Sequence, residues 1–379
     1  MFIPLKYNIR NLAVRRTATL LTAFGIAVSV AVFVSVMALV EGMDDTFVTT
    51  GDARNIIALR RGALSETGSI IDIGAPLIVR NFPGVEAMSA ERLVYVNTAR
   101  LGTGSSNVVI RGLGDTGRAL RPQVHLLRGR WYRPGARELT VSRSIASRFR
   151  DTDLGDELKT GSARWKVVGI FDAGNTAYSS EMWTDPEGPA AAFQRRAWSD
   201  IVVRATNKAA IAPLLQMMDA ESRIDVDARS EVAYFAEQTK ASSPVRVLGN
   251  VVAIIMAVGS AFAAMNTMYA AVGSRTREIA VLRALGFSGR AVALSFLSEA
   301  VLLSIVGGVV GGLAALPLNG IATGTTNWFT FAEMNFAFAI TPPLLVRGIL
   351  FAVLMGAVGG VLPALRASRL SAASAMRAL

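Results

Sequence analysis

The chain has 379 residues, 52% of them hydrophobic and only 18% charged, whereas soluble globular chains carry about 25% charged residues, so a soluble enzyme is disfavoured. It holds one histidine, no cysteine and a net charge of +11. That excludes a disulfide framework and a thiolate metal site, and leaves a histidine-based triad or metal centre almost nothing to work with.

Residues 1–19 contain Lys6, Arg10, Arg15 and Arg16 and no acid, with Leu5, Ile9 and Leu12 at helical spacing. The spacing predicts a short amphipathic helix on the membrane surface. Residues 20–40 then run for 21 positions without a charge, enough to cross a hydrocarbon core of about 30 Å. A signal peptide is the competing reading, but its apolar core spans only about 7–15 residues, so a retained helix is expected.

Residues 41–246 read as a mixed α/β domain. Val108–Arg111, Glu138–Ser142, Trp165–Phe171 and Ile201–Arg204 are short β-branched runs, and Gly161-Ser162 between two such runs reads as a hairpin turn. Ser142–Arg150 and Asn207–Ala220 read as helices, the second with Ile211, Leu214, Leu215 and Met218 on one face. Glu41–Thr50 and Ala228–Arg246 read as a helical stalk joining this domain to the flanking spans. Gly102–Ser106 and Gly112–Gly117 mark loops. His125 reads as a surface residue. Asp151/Asp153 and Asp156/Glu157 read as a solvated turn in preference to a cation site.

Three more spans follow, at 247–273, 291–318 and 344–365, separated by a basic segment 274–290 and a loop 319–343, with a tail at 366–379. In 274–290 an amphipathic helix is expected with Ile279, Leu282 and Leu285 on one side. Arg275, Arg277 and Arg283 are left to water or an acidic partner. A positive anchor touching only lipid headgroups is an equally good reading of that periodicity. Glu299 lies inside the third span, where a carboxylate costs a few kcal/mol unless it faces protein or water; an interhelical hydrogen bond is preferred over a proton or substrate site. Gly307/Gly311, Gly308/Gly312 and Gly356/Gly360 form small-xxx-small pairs suited to close helix packing within the bundle or across a dimer. Arg347 opens the fourth span, where its stem can reach the interface.

Orientation follows from the basic residues. Segments 1–19, 274–290 and 366–379 together hold eleven basic residues and one acidic, the loop 319–343 holds only Glu333, and 41–246 is nearly balanced with 27 basic and 25 acidic. Both termini are therefore expected in the cytoplasm and 41–246 outside. The fold class expected is an α-helical membrane protein with four transmembrane helices in a one-plus-three arrangement. A mixed α/β extracytoplasmic domain fills the interval between the first two helices. Nucleic acid is not needed to explain the charge.

The segment Arg277-Glu-Ile-Ala-Val-Leu-Arg-Ala-Leu-Gly286 resembles the signature of FtsX-like ABC transporter permeases, and Pro363–Leu379 is similar to that family's ending, with Ser371 where proline is common. The one-plus-three layout looks like the MacB-type group, and the run from Val108 to Trp183 is similar in rhythm to its periplasmic core domain. The resemblance implies a bacterial inner-membrane permease without catalytic activity of its own. It would dimerise, as a homodimer, and bind two copies of an ATP-binding subunit through a coupling helix made of Arg275, Arg277, Glu278, Ile279, Leu282, Arg283, Leu285 and Gly286. ATP and Mg would sit on that partner, since no G-x-x-x-x-G-K-[ST] segment occurs here. Such a machine drives export or lipid and lipoprotein handling, in some members with a periplasmic adaptor and an outer-membrane channel. The alternative is a division-type signal transducer that switches a cell-wall hydrolase and moves no substrate.

Overall fold

The computed structural model describes residues 16–239, 243–326 and 333–370. The amphipathic helix expected within 1–19 and most of the tail 366–379 lie outside them. The chain divides into two units: one of Met1–Glu41, Pro244–Ile321 and Phe338–Leu379, the other of Gly42–Ser243 and Ala322–Ala337.

The first unit is helical. Its long elements are α1 (Arg16–Val48, whose last turns from Gly42 belong to the second unit), α2 (Ser243–Ser274, entering this unit at Pro244), α4 (Gly289–Ala315) and α5 (Pro342–Ser368), with a short α3 (Thr276–Ala284) between α2 and α4. Among the described residues four helices are long and apolar enough to cross a membrane, over Thr19–Val48, Arg246–Ser274, Gly289–Leu318 and Pro342–Ser368. These helices run past the apolar stretches at several ends, since backbone hydrogen bonding continues after the hydrophobic run stops. Ser288 and Thr341 cap α4 and α5, each side chain accepting a backbone N–H three residues on, and Pro342-Pro343 occupies the first turn of α5, where the missing donors are harmless.

Glycine sets the contacts in this bundle. A Cβ on Gly307 would press into Ile26 and one on Gly311 into the Ala27 carbonyl, so this pair faces α1. One turn round, Gly308 abuts Ala352 of α5, while Gly312 keeps more room, since a Cβ there would lie 3.3 Å from Leu345. Gly356 and Gly360 meet Ser304 and Ala300 of α4. Without a hydrophobic driving force in lipid, this backbone approach is the main source of helix association. Ile26, Val30, Val34, Leu344, Ala352 and Met355 fill the resulting core. Outward, Leu21, Phe24, Ile254, Phe262, Leu313 and Leu350 are exposed, as a lipid-facing surface requires.

Among its described residues the second unit carries twelve strands: β1 (Asn55–Arg60), β2 (Val85–Ala99), β3 (Ser105–Gly112), β4 (His125–Gly129), β5 (Glu138–Ser142), β6 (Glu157–Thr160), β7 (Ala163–Asp172), β8 (Glu181–Thr184), β9 (Asp200–Ala205), β10 (Val226–Ser230), β11 (Ala322–Thr326) and β12 (Glu333–Ala337). The main sheet runs β10-β1-β9-β2-β3-β8-β5-β7-β4, with β6 on β7. Its long strand β2 pairs with β9 up to Glu91 and with β3 from Arg92 onward, so one strand serves two lobes. The first lobe packs Ile56, Val203, Leu214, Met218 and Val226, and the second packs Ile110, Val141, Phe149, Trp165 and Met182.

The β6–β7 hairpin turns at Gly161-Ser162, with Gly161 at φ +60. Other local expectations need correction. Ser142–Arg150 is helical only over Arg143–Ala146, because Thr152 and the bridge at Phe149 bend the chain back. Gly112 and Ser105–Ser106 belong to β3, and Asp115–Ala119 is a helical turn. Ala228–Ser230 closes a strand before the helix Glu231–Gln238 begins, so Ala228–Arg246 is not one continuous stalk. Within the loop 319–343, Ala322–Thr326 and Glu333–Ala337 pair as antiparallel strands that belong to the second unit.

Candidate functional site

The segment joining α2 to α4 is a compact helix with a defined start and stop. Gly286 at φ +92 ends α3: its N–H donates to Arg283 O and that of Phe287 to Leu282 O, the paired bonds of a Schellman stop. Ser288 then caps α4 at once. The run Leu285-Gly-Phe-Ser288 is thus read by backbone chemistry as stop and restart.

Arg275 stands at the N-cap of α3 and turns inward. Its Nη1 donates to Glu299 of α4 at 2.8 Å, its Nε donates to Glu278 at 3.2 Å, and its guanidinium lies 5.3 Å from the centre of the Phe296 ring. Both side chains of the Arg275–Glu299 pair are buried, at 6% and 7% exposure. Arg275 was expected to face water or a partner; instead it satisfies the acid in the third span, 24 residues away. Helical periodicity places a residue on a face but says nothing of a cap that leaves the helix.

Ile279 is fully buried and packs with Met268, Val272, Val292 and Phe296, fixing α3 on the bundle. Leu282 is half-buried, and so is Arg283, whose Nη1 donates to Phe287 O at 3.1 Å. Leu285 departs from the expected apolar side: it is the C-cap, outside the helical repeat, and is 69% exposed. Val281 is exposed beside it, and with Arg277, Glu278 and Gly286 it forms an outward surface of apolar knobs between charges. Sequence reasoning missed Val281, although Arg277, Val281 and Leu285 lie four residues apart. Arg347 meets Glu41, not Glu299.

A second concentration of charge lies in the outer unit, where β2 changes partner. Arg111 binds Glu181 through two nitrogens at 2.8 and 2.7 Å, and its Nη1 reaches Glu91, Glu66 and Asp200 at 2.8, 3.0 and 3.3 Å. Arg121 grips Glu91 with both Nη atoms and lies 4.8 Å from the Tyr178 ring centre, while the Tyr178 hydroxyl donates to Glu231. Burial raises the Asp200 carboxyl well above the ordinary range, helped by Glu91 and Glu66 nearby. Burial also raises Glu231. At Glu91 burial works in the same direction, but Arg121 and Arg111 outweigh it and hold the group below its usual value. Two guanidiniums thus serve four carboxylates, Glu66, Glu91, Glu181 and Asp200, an excess of negative charge that favours the neutral form of the least well paired of them. None of these residues was singled out from sequence.

No group of three or more histidine, cysteine, aspartate or glutamate side chains is placed to hold a metal among the described residues. His125 is exposed at the start of the edge strand β4. Asp153 pairs with Arg128 and accepts the Leu154 N–H, while Asp156 accepts the Asp153 N–H.

Residues 19–221 match the MacB-like periplasmic core domain and residues 250–372 the FtsX-like permease C-terminal domain. The chain is 28% identical over 97% of its length to the pyoverdine export ATP-binding/permease protein PvdT of Pseudomonas entomophila (strain L48). It is 23% identical over 95% of its length to the macrolide export ATP-binding/permease protein MacB of Hahella chejuensis (strain KCTC 2396). It spans 58% of the length of each relative. The periplasmic region of MacB from Actinobacillus actinomycetemcomitans aligns at a TM-score of 0.38 and 10% identity, covering 48% of this chain and 92% of that one.

Proposed function

We propose a function from one premise: this chain belongs to the family of ABC transporter permeases that join a MacB-like periplasmic core domain to an FtsX-like permease domain. It is the membrane subunit of such a machine in the bacterial inner membrane, with α3 on the cytoplasmic side and the sheet domain outside. An ATP-binding partner, present in two copies and carrying ATP and Mg, docks on Val281, Leu285 and Arg277. A second copy of the permease completes the assembly. Hydrolysis moves the outer domain mechanically, and that motion drives export or lipid and lipoprotein handling. Export is favoured because both relatives are export proteins by name. A periplasmic adaptor and an outer-membrane channel are further partners in an export role.

The observation that carries this reading is the construction of α3. A solvated connector needs neither a buried ion pair at its base nor a capped stop, yet α3 has both while leaving Val281 and Leu285 open to the outside. Isolated apolar residues on a surface are ordinary; here they sit on an element fixed rigidly to the spans, as a receiver of force must be. Leu285→Asp and Arg277→Glu test it, since both side chains are exposed and neither change disturbs the core. The variants are expected to insert at normal levels and to lose a co-purifying ATP-hydrolysing subunit. Retention of that subunit by both variants, or its absence from the unaltered protein, contradicts the proposal.

A further inference from the structure

Glu333 is the one charged residue of the loop 319–343, and its carboxylate is completely buried. It accepts from Arg100 Nη2 at 2.6 Å, from Ser106 Oγ at 2.7 Å and from Arg148 Nη2 at 2.5 Å. Those donors come from the end of β2, from β3 and from the turn after the helix Arg143–Ala146. Two residues on, the Asn335 N–H donates to Ser180 Oγ at 2.7 Å. On β11, Gly324 stands opposite Asn335, and a Cβ there would strike both the Arg148 guanidinium and the Glu333 carboxylate, so a side chain at this position would have to displace their ion pair.

A two-stranded hairpin is marginal in water by itself, so the order of β11–β12 derives from this docking. Burying one carboxylate between two guanidiniums also makes its removal costly, because Arg100 and Arg148 would then lose the charge that compensates both. The two units exchange the chain at four points: 41/42, 243/244, 321/322 and 337/338. The last two flank this hairpin and lead directly from α4 and towards α5.

We propose that Glu333 is a positioning residue that makes the β11–β12 hairpin a third mechanical linkage, through which α4 and α5 displace the outer domain. The two chain connections at 41/42 and 243/244, beside α1 and α2, are then only part of the drive. This rests on the ATP-driven motion proposed above. A merely structural tie would hold the hairpin in place without carrying displacement.

The test uses the permease with its co-purified ATP-binding subunit in lipid nanodiscs, followed by hydrogen exchange with and without ATP and vanadate. Glu333→Gln is expected to speed exchange of the β12 amides at least tenfold, to leave the ATP-binding subunit bound, and to cut the ATP-dependent exchange change of the outer domain by at least half. Arg100→Gln, which leaves Arg148 on the carboxylate, gives a smaller change in the same direction. Because the chain has no cysteine, Ser106→Cys with Glu333→Cys can be bridged by a short bis-methanethiosulfonate, and the bridge is expected to restore the ATP response until it is reduced. Faster hairpin exchange with an unchanged ATP response overturns the proposal, as does an unchanged hairpin. Absence of any ATP response in the unaltered complex overturns the underlying reading as well, a signature distinct from failure at Glu333 alone.

Discussion

Replacing Glu299 by glutamine removes the charge that Arg275 reaches at 2.8 Å, with both side chains about nine-tenths or more buried. Breaking a buried ion pair by deleting one partner costs about 3–5 kcal/mol, because the remaining charge loses its compensation. Arg275 keeps Glu278 and the face of Phe296, so the lower end, about 3 kcal/mol, is expected. That energy is lost from the docking of α3, where it corresponds to roughly a hundredfold faster amide exchange over Thr276–Ala284. Exchange measured by mass spectrometry in nanodiscs reads it directly. The double variant Arg275→Met/Glu299→Leu removes both charges and is expected to recover most of the protection, a coupling of about 2 kcal/mol in a double-mutant cycle. An effect of Glu299→Gln below about 0.5 kcal/mol, or strict additivity of the two single changes, refutes the assignment of this pair as the base of α3.

Further expectations concern the bundle and the outer domain. Gly311→Leu drives a side chain into the Ala27 carbonyl and is expected to destabilise the bundle by about 1–3 kcal/mol, whereas Gly312→Ala meets only the tip of Leu345 and is tolerated; thermal stability in detergent separates them. Asp200 binds its proton more tightly folded than unfolded, so its contribution to stability is greatest at low pH and falls as pH rises from about 4 towards its native value. Asp200→Asn is therefore expected to flatten that decline, read as Tm against pH. Glu91 has the opposite sign: its stabilisation is present above the ordinary Glu value and is lost as pH falls through its lowered native value. Arg111→Met leaves three buried carboxylates and the half-buried Glu66 without their shared cation and is expected to unfold the junction of the two lobes, seen as lost near-ultraviolet signal from Trp183.

The long apolar runs were readable because lipid imposes a length and forbids unsatisfied backbone. β5 and the β6–β7 turn were readable because they are local: β-branched alternation in one, a glycine at positive φ in the other. β2 was not, since Glu91 and Arg92 interrupt its pattern at the point where it changes partner. Those charges are tolerated in a buried strand only because Arg111, Arg121 and Glu187 arrive from elsewhere in the chain. The same reason hid Arg275. Its sequence neighbours suggest a surface cation, while its partner comes from the next span. Glu333 looked like a loop acid because the two arginines that bury it lie more than 180 residues earlier.

The central claim, that α3 faces the cytoplasm and receives the ATP-binding subunit, is tested most directly by one accessibility measurement. A single cysteine at the exposed Leu285, with Lys159→Cys in the outer domain as control, is treated with a membrane-impermeant maleimide. In intact cells Lys159→Cys is expected to label and Leu285→Cys not; in inverted vesicles Leu285→Cys labels only once the ATP-binding subunit is stripped away. Labelling of Leu285→Cys from outside intact cells would contradict the account.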